Sequence, residues 1–86
     1  MKLPATATLA QANELLRQLG EDTEVVDASE LADFDSSAVA LLLEARRRAA
    51  ARGRTLRIDG APAQLVELAR LYGVDELLGL PAAEAA

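Results

Sequence analysis

Cysteine and histidine are both absent from this chain of 86 residues, and those two absences exclude more chemistry than any motif supplies. Without a thiol or an imidazole there is no cysteine nucleophile, no histidine base and no ordinary zinc site. The lack of cysteine fits a reducing compartment. Lysine occurs once, as Lys2, so no amine stands near a serine to take its proton. Tryptophan is missing, and Phe34 and Tyr72 are the only aromatic residues. The core must therefore be built from Leu, Ala and Val.

Other absences narrow the class further. No glycine cluster forms a phosphate-cradling loop, since neither Gly20 nor Gly53 belongs to a multi-glycine motif. No apolar run approaches a membrane span, and the first residues, with one basic side chain and no apolar stretch, do not read as a signal peptide. These features set the expectation of a soluble, cytoplasmic protein with no direct membrane span. The formal charge of −5 and pI near 4.6 argue against a nucleic-acid partner, because duplex binding rests on neutralising phosphates with Lys and Arg. Most basic residues fall between positions 46 and 57. That run reads as the solvated, C-terminal part of a helix, where each exposed cation gains about 0.3–1 kcal/mol from the macrodipole.

What is present fits a single small domain over residues 1–86, with a core over about 3–80 and a tail at 81–86. A chain of this length buries roughly 60% of its unfolded surface. Residues 1–5 read as at best a short edge strand, because Pro4 withholds an N–H. Thr8 and Gln11 have the spacing of a capping box, and Leu9, Ala12, Leu16 and Leu19 then mark one face of a first helix ended by Gly20. A turn at Asp22 and Thr23 leads to a short strand over 24–28, whose paired valines suit an extended chain. Residues 29–34 read as a connection plugged into the core by Leu31 and Phe34.

A second helix is expected over about 36–52, rich in Ala and Leu, with Gly53 past its end. Residues 55–59 alternate apolar and polar, as a half-buried strand does. Pro62 opens a third helix, with Leu65, Leu68, Ala69 and Tyr72 on one face and Gly73 at its close. One more helical turn over 74–78 is capped by Gly79 and stopped by Pro81. Helix, strand, helix, strand, helix is the alternation of a small, mainly parallel α/β sheet with right-handed crossovers. Two clear strands are few for an independent sheet. An edge is therefore expected to be covered or extended, by a second copy in a homodimer or by a partner protein.

Polarity is concentrated at Asp33-Phe34-Asp35-Ser36-Ser37-Ala38, where an acidic turn runs into the apolar stretch 39–45. The turn falls where helix-start N–H groups lack intrahelical partners, so it is a cap and a candidate contact point. It is not a catalytic centre, since no base is available to activate Ser36 or Ser37. Asp27, Asp33, Asp35 and Asp59 match neither a calcium-loop spacing nor another short ligand motif, so no metal and no cofactor are expected. A phosphate at the turn would gain from free N–H groups and lose to the carboxylates of Asp33 and Asp35. A cap, a phosphorylation switch and a docking point remain open on these residues alone.

Asp27-Ala28-Ser29, Leu31 and the run from Phe34 through Asp35, Ser36, Ser37, Ala38, Val39 and Ala40 to Leu41 and Leu42 resemble the signature of STAS domains. There, a strand ending D-x-S precedes a D-S-S-G-like turn and an apolar helix. The likeness spans about residues 25–80. In one subgroup, the anti-sigma factor antagonists, a partner kinase phosphorylates a serine of this turn, and the matching residue is Ser37. In the MlaB-like subgroup, the STAS protein is the small cytoplasmic subunit of an ABC transporter that moves phospholipids to maintain outer-membrane lipid asymmetry. It binds the ATPase subunit, and a hydroxyl residue at the position of Ser36 is important for the contact.

Local details favour the MlaB-like group. Ala38 replaces the antagonists' glycine, residues 39–44 look like the MlaB helix, and Leu68-Ala69-Arg70-Leu71-Tyr72-Gly73-Val74 resembles its Leu-Ala-x-Leu-Tyr segment. The resemblance implies a STAS-like fold, here without the usual N-terminal strand because the chain starts close to its first helix. It further implies a non-catalytic subunit at the inner membrane, held there through the ATPase and the membrane permease. Asp35, Ser36 and Ser37 are the implied partner-binding residues. A lipid-carrier role is disfavoured, because so small a core leaves little room for an acyl cavity.

Overall fold

A computed structural model describes residues 1–20 and 23–80. The turn read at Asp22, the helix stop at Pro81 and the tail beyond it lie outside the described residues. In chain order the elements are β1 (Thr6–Ala7), α1 (Leu9–Gln18), β2 (Val25–Asp27), β3 (Asp33–Phe34), α2 (Ser36–Ala51), β4 (Arg57–Asp59) and α3 (Ala63–Leu71). All strand pairings are parallel, β1 with β3 and β2 with β4. This is the small α/β architecture that the alternation predicts.

The two ladders are joined by the first residues of the chain. Leu3 N–H donates to the Asp27 carbonyl at 2.8 Å and Asp27 N–H to the Met1 carbonyl at 2.7 Å, which makes a parallel bridge between Lys2 and Asp27. Pro4 comes just after these bonds, where its missing N–H costs nothing. The Ala5 carbonyl then accepts from both Ala32 and Asp33 N–H at 2.8 Å, and Thr6 and Ala7 continue along Asp33 and Phe34. Residues 1–7 thus pair first with β2 and then with β3.

The connection read at 29–34 therefore contains a strand. Asp33 and Phe34 form β3, too short and too acidic to show any β pattern of their own; pairing with β1 creates the strand. Leu31 is buried and Phe34 half-buried against the core, as plugs should be.

The helices pack side by side, α1 on α2 and α2 on α3. Their buried faces follow the 3.6-residue period, with Leu15 from α1, Leu42 and Ala45 from α2, and Leu65 and Ala69 from α3. Leu42 and Leu65 are fully buried, each stabilising by about 1.5–3 kcal/mol relative to exposure. The core is aliphatic throughout. Leu9 departs from the expected α1 face. It is 74% exposed, because it occupies the first helical position, a turn ahead of the residues that meet the core.

Arginines clamp α2 to its neighbours. Arg48 donates to the Leu19 carbonyl just past α1, and Arg46 Nε donates to the Leu77 carbonyl past α3, both at 2.9 Å. Arg47 and Arg48 also engage Glu44, Arg54 pairs with Glu24, and Arg57 pairs with Asp59 on its own strand. The basic run is thus more than a solvated face. It holds the flanking elements against α2 and leaves Ser36, Ala40 and Arg47 pointing outward between them.

Candidate docking site at the start of the second helix

Parallel strands followed by helices bring the C-terminal strand ends and the helix N-termini to one end of the molecule. Three helix starts gather there, at Thr8, Asp35 and Pro62. Gln11 reaches back at the first of them, its Oε1 accepting from the Thr8 N–H at 2.9 Å and from the Thr8 hydroxyl at 2.7 Å. The capping-box spacing is realised in that pairing.

Asp35 is the N-cap of α2, with extended backbone, and its Oδ1 accepts from Ser37 N–H at 2.9 Å. Its second oxygen, Oδ2, accepts from Leu9 N–H at 3.1 Å. One carboxylate therefore serves two helix starts, and both bonds belong to donors that lack intrahelical acceptors. The Ser37 and Leu9 amides hold the Asp35 carboxyl below the usual carboxylate range, the Ser37 bond contributing most.

The two serines differ in consequence. Ser37 is half-buried, and its amide is bonded to Asp35. Ser36 is exposed, and its hydroxyl makes no hydrogen bond to any described residue. Beneath them Ala38 and Val39 are buried and anchor the first turn in the core. The turn thus presents a free hydroxyl on a rigid base. Leu9, tied through its N–H to the same carboxylate, adds an exposed apolar side chain beside it.

Asp27 and Asp59 do not join this cluster. Asp27 Oδ1 accepts from Ser29 N–H at 2.9 Å, and hydrogen bonds from the Ser29 side chain and amide lower its pKa. Asp59 is paired with Arg57. No group of metal-ligating side chains converges among the described residues. Gly60, at φ +68, lies directly under Ser29, where a Cβ would come within 2.8 Å of the Ser29 Cβ. That close approach locks the ends of β2 and β4 together.

Sequence reasoning located Asp35, Ser36 and Ser37 as one cluster, and the fold brings them together. It missed the link from Asp35 to α1, since a side-chain bond across 26 residues leaves no local signal. It also missed the exposure of Leu9 and Tyr72, which helical spacing places on the buried faces of α1 and α3.

Short parallel strand pairs with helices packed in a row and an acidic serine turn capping α2 fit a STAS-like fold. The sequence model described as "Mlab, STAS domain" matches residues 2–79, and the chain belongs to that family. No curated protein matches the chain closely. No helix among the described residues is long and apolar enough to cross a membrane.

Proposed function

We propose that this chain is a non-enzymatic STAS subunit that binds the ATPase of a phospholipid-transporting ABC system and supports its assembly and activity. It sits in the cytoplasm and reaches the inner membrane and its permease through that ATPase. Asp35, Ser36 and Ser37 form the contact, with Ser36 as the group that meets the partner.

One observation carries the assignment: the Ser36 hydroxyl is exposed and unpartnered on a helix start that Asp35 and the buried Ala38 and Val39 hold rigid. A preorganised polar group loses little entropy on docking, which is what a small contact site needs. Membership of the Mlab family supports the choice of partner.

The competing reading is an anti-sigma factor antagonist switched by phosphorylation at Ser37. Ser37 is the less accessible serine, and its amide is already committed to Asp35. A phosphate there would be set against that carboxylate, which is repulsive. Copurification of the tagged chain with an ABC ATPase, lost on Ser36→Glu, supports docking. Stoichiometric phosphate at Ser37 after incubation with serine kinases, read by intact mass, would replace it with the switch.

A further inference from the structure

Strand β4 is an edge, since among the described strands it pairs with β2 alone. Arg57 N–H donates to the Glu24 carbonyl at 2.7 Å, and the Asp59 carbonyl accepts from Ala28 N–H at 2.8 Å, so residues 57 and 59 turn their peptide groups toward β2. Ile58, between them, turns its N–H and C=O the other way, and neither bonds to a described residue. Its side chain packs, half-buried, against the core.

Edge strands usually carry charges that deter pairing. The two charges here have opposite signs. Arg57 and Asp59 stand two residues apart on the sheet face away from the core, and the guanidinium donates to the carboxylate at 2.9 and 3.0 Å.

That order of residues is self-complementary in one register. In an antiparallel pair about a two-fold axis, the outward groups of residue 58 must meet outward groups of the second copy, which belong to even-numbered positions. Centred on Ile58, the copies exchange both Ile58 N–H···O=C bonds, and each Arg57 falls opposite the other copy's Asp59. Slipping one step either way sets Arg57 against Arg57 or Asp59 against Asp59, and like charges directly across a ladder are destabilising. A strand from another protein would need its own acid and base at this spacing, whereas a second copy carries both by symmetry. Gly60, at φ +68, ends the extended run after Asp59, and Pro62 has no N–H to continue a ladder, so the paired stretch is short.

We propose that β4 is a self-association edge, through which two copies of this chain pair antiparallel about Ile58 with Arg57 and Asp59 exchanged across the axis. The two β2–β4 ladders then form one continuous sheet. None of these residues belongs to the serine turn, so the proposal does not rest on Ser36 being a contact.

The test is sedimentation equilibrium of the full chain at about 0.15 M salt, where a Debye length of roughly 8 Å screens the repulsion between two acidic copies. A monomer–dimer equilibrium is expected, with a Kd on the order of 100 µM for so short a ladder. Arg57→Glu and Asp59→Arg should each weaken it about tenfold or more, because each sets like charges across the axis. Mixing the two variants should restore association, since every charge then faces its opposite. The two side chains bond only to each other among the described residues, so melting temperatures should stay close to that of the unmodified chain. A chain that stays monomeric at millimolar concentration, as it would if its own last residues or another protein's strand took the edge, overturns the proposal. So does a dimer indifferent to either variant, or a pair of variants that stay apart when mixed. Ser36→Glu should leave the equilibrium unchanged, which keeps this test separate from that of the serine contact.

Discussion

Asp35 and Leu9 are 26 positions apart, and the carboxylate of one accepts the backbone N–H of the other at 3.1 Å. Through that bond the residue that caps α2 also caps α1, and the serine turn is braced from two directions. The structural consequence is a braced first turn of α2, where Ser36 stands. A side chain offered by a frayed helix end would have to be ordered at each binding event, whereas this one is already placed.

Asp35→Ala should therefore behave as the loss of two caps. The expected fall in melting temperature is roughly 5–10 °C, more than one cap ordinarily costs in a domain of this size. Hydrogen exchange should quicken at Leu9 as well as at Ser37. Quickening at Ser37 alone would show that the bridge to α1 carries no weight.

Gly60→Ala should destabilise by about 2 kcal/mol or more, measured by urea unfolding. The positive φ disfavours any side chain, and the added methyl would meet Ser29 at 2.8 Å. Gly53→Ala has the same sign of φ but open space around it, so it should cost about 1 kcal/mol.

Leu42→Ala removes a fully buried side chain from the centre of α2 and should cost about 2–5 kcal/mol. Leu71→Ala, at an exposed site, should leave stability within about 0.5 kcal/mol. The contrast separates a leucine held by packing from one that packing ignores.

Acid stability should follow the paired carboxylates. Hydrogen bonds from Arg47 and then Arg48 lower Glu44 to about 2 from 4.5. A lowered folded-state pKa means that the contribution is present above the unfolded value and lost as pH falls through the folded one. Stability should thus be flat through neutral pH, where no histidine titrates, and should drop between about 4.5 and about 2. Glu44→Gln should flatten that drop. An equally steep fall in the variant would place the acid sensitivity elsewhere.

Periodicity carried the three helices almost to their ends, because Ala- and Leu-rich stretches bounded by Thr8, Asp35, Pro62 and glycines are locally consistent. The strands were harder to see. Val25–Asp27 and Arg57–Asp59 show β-branched or alternating residues, whereas Thr6–Ala7 and Asp33–Phe34 exist only because they pair with each other. The serine turn was legible because capping chemistry is local. Its bracing by Leu9 was not, and neither were the clamps from Arg46 and Arg48, whose donors were visible but whose acceptors are backbone carbonyls on other elements. Tyr72 shows the same limit from the other side, since helical spacing places it on the α3 face and packing leaves it largely exposed.

The most direct test of the proposed docking is the affinity of the purified chain for an ABC ATPase encoded alongside it, measured with Ser36 as serine, alanine and glutamate. Removing one hydroxyl should weaken binding by up to about tenfold, and a bulky charge should abolish it, with melting temperatures unchanged. Equal affinity for all three would contradict the claim that Ser36 is the contact.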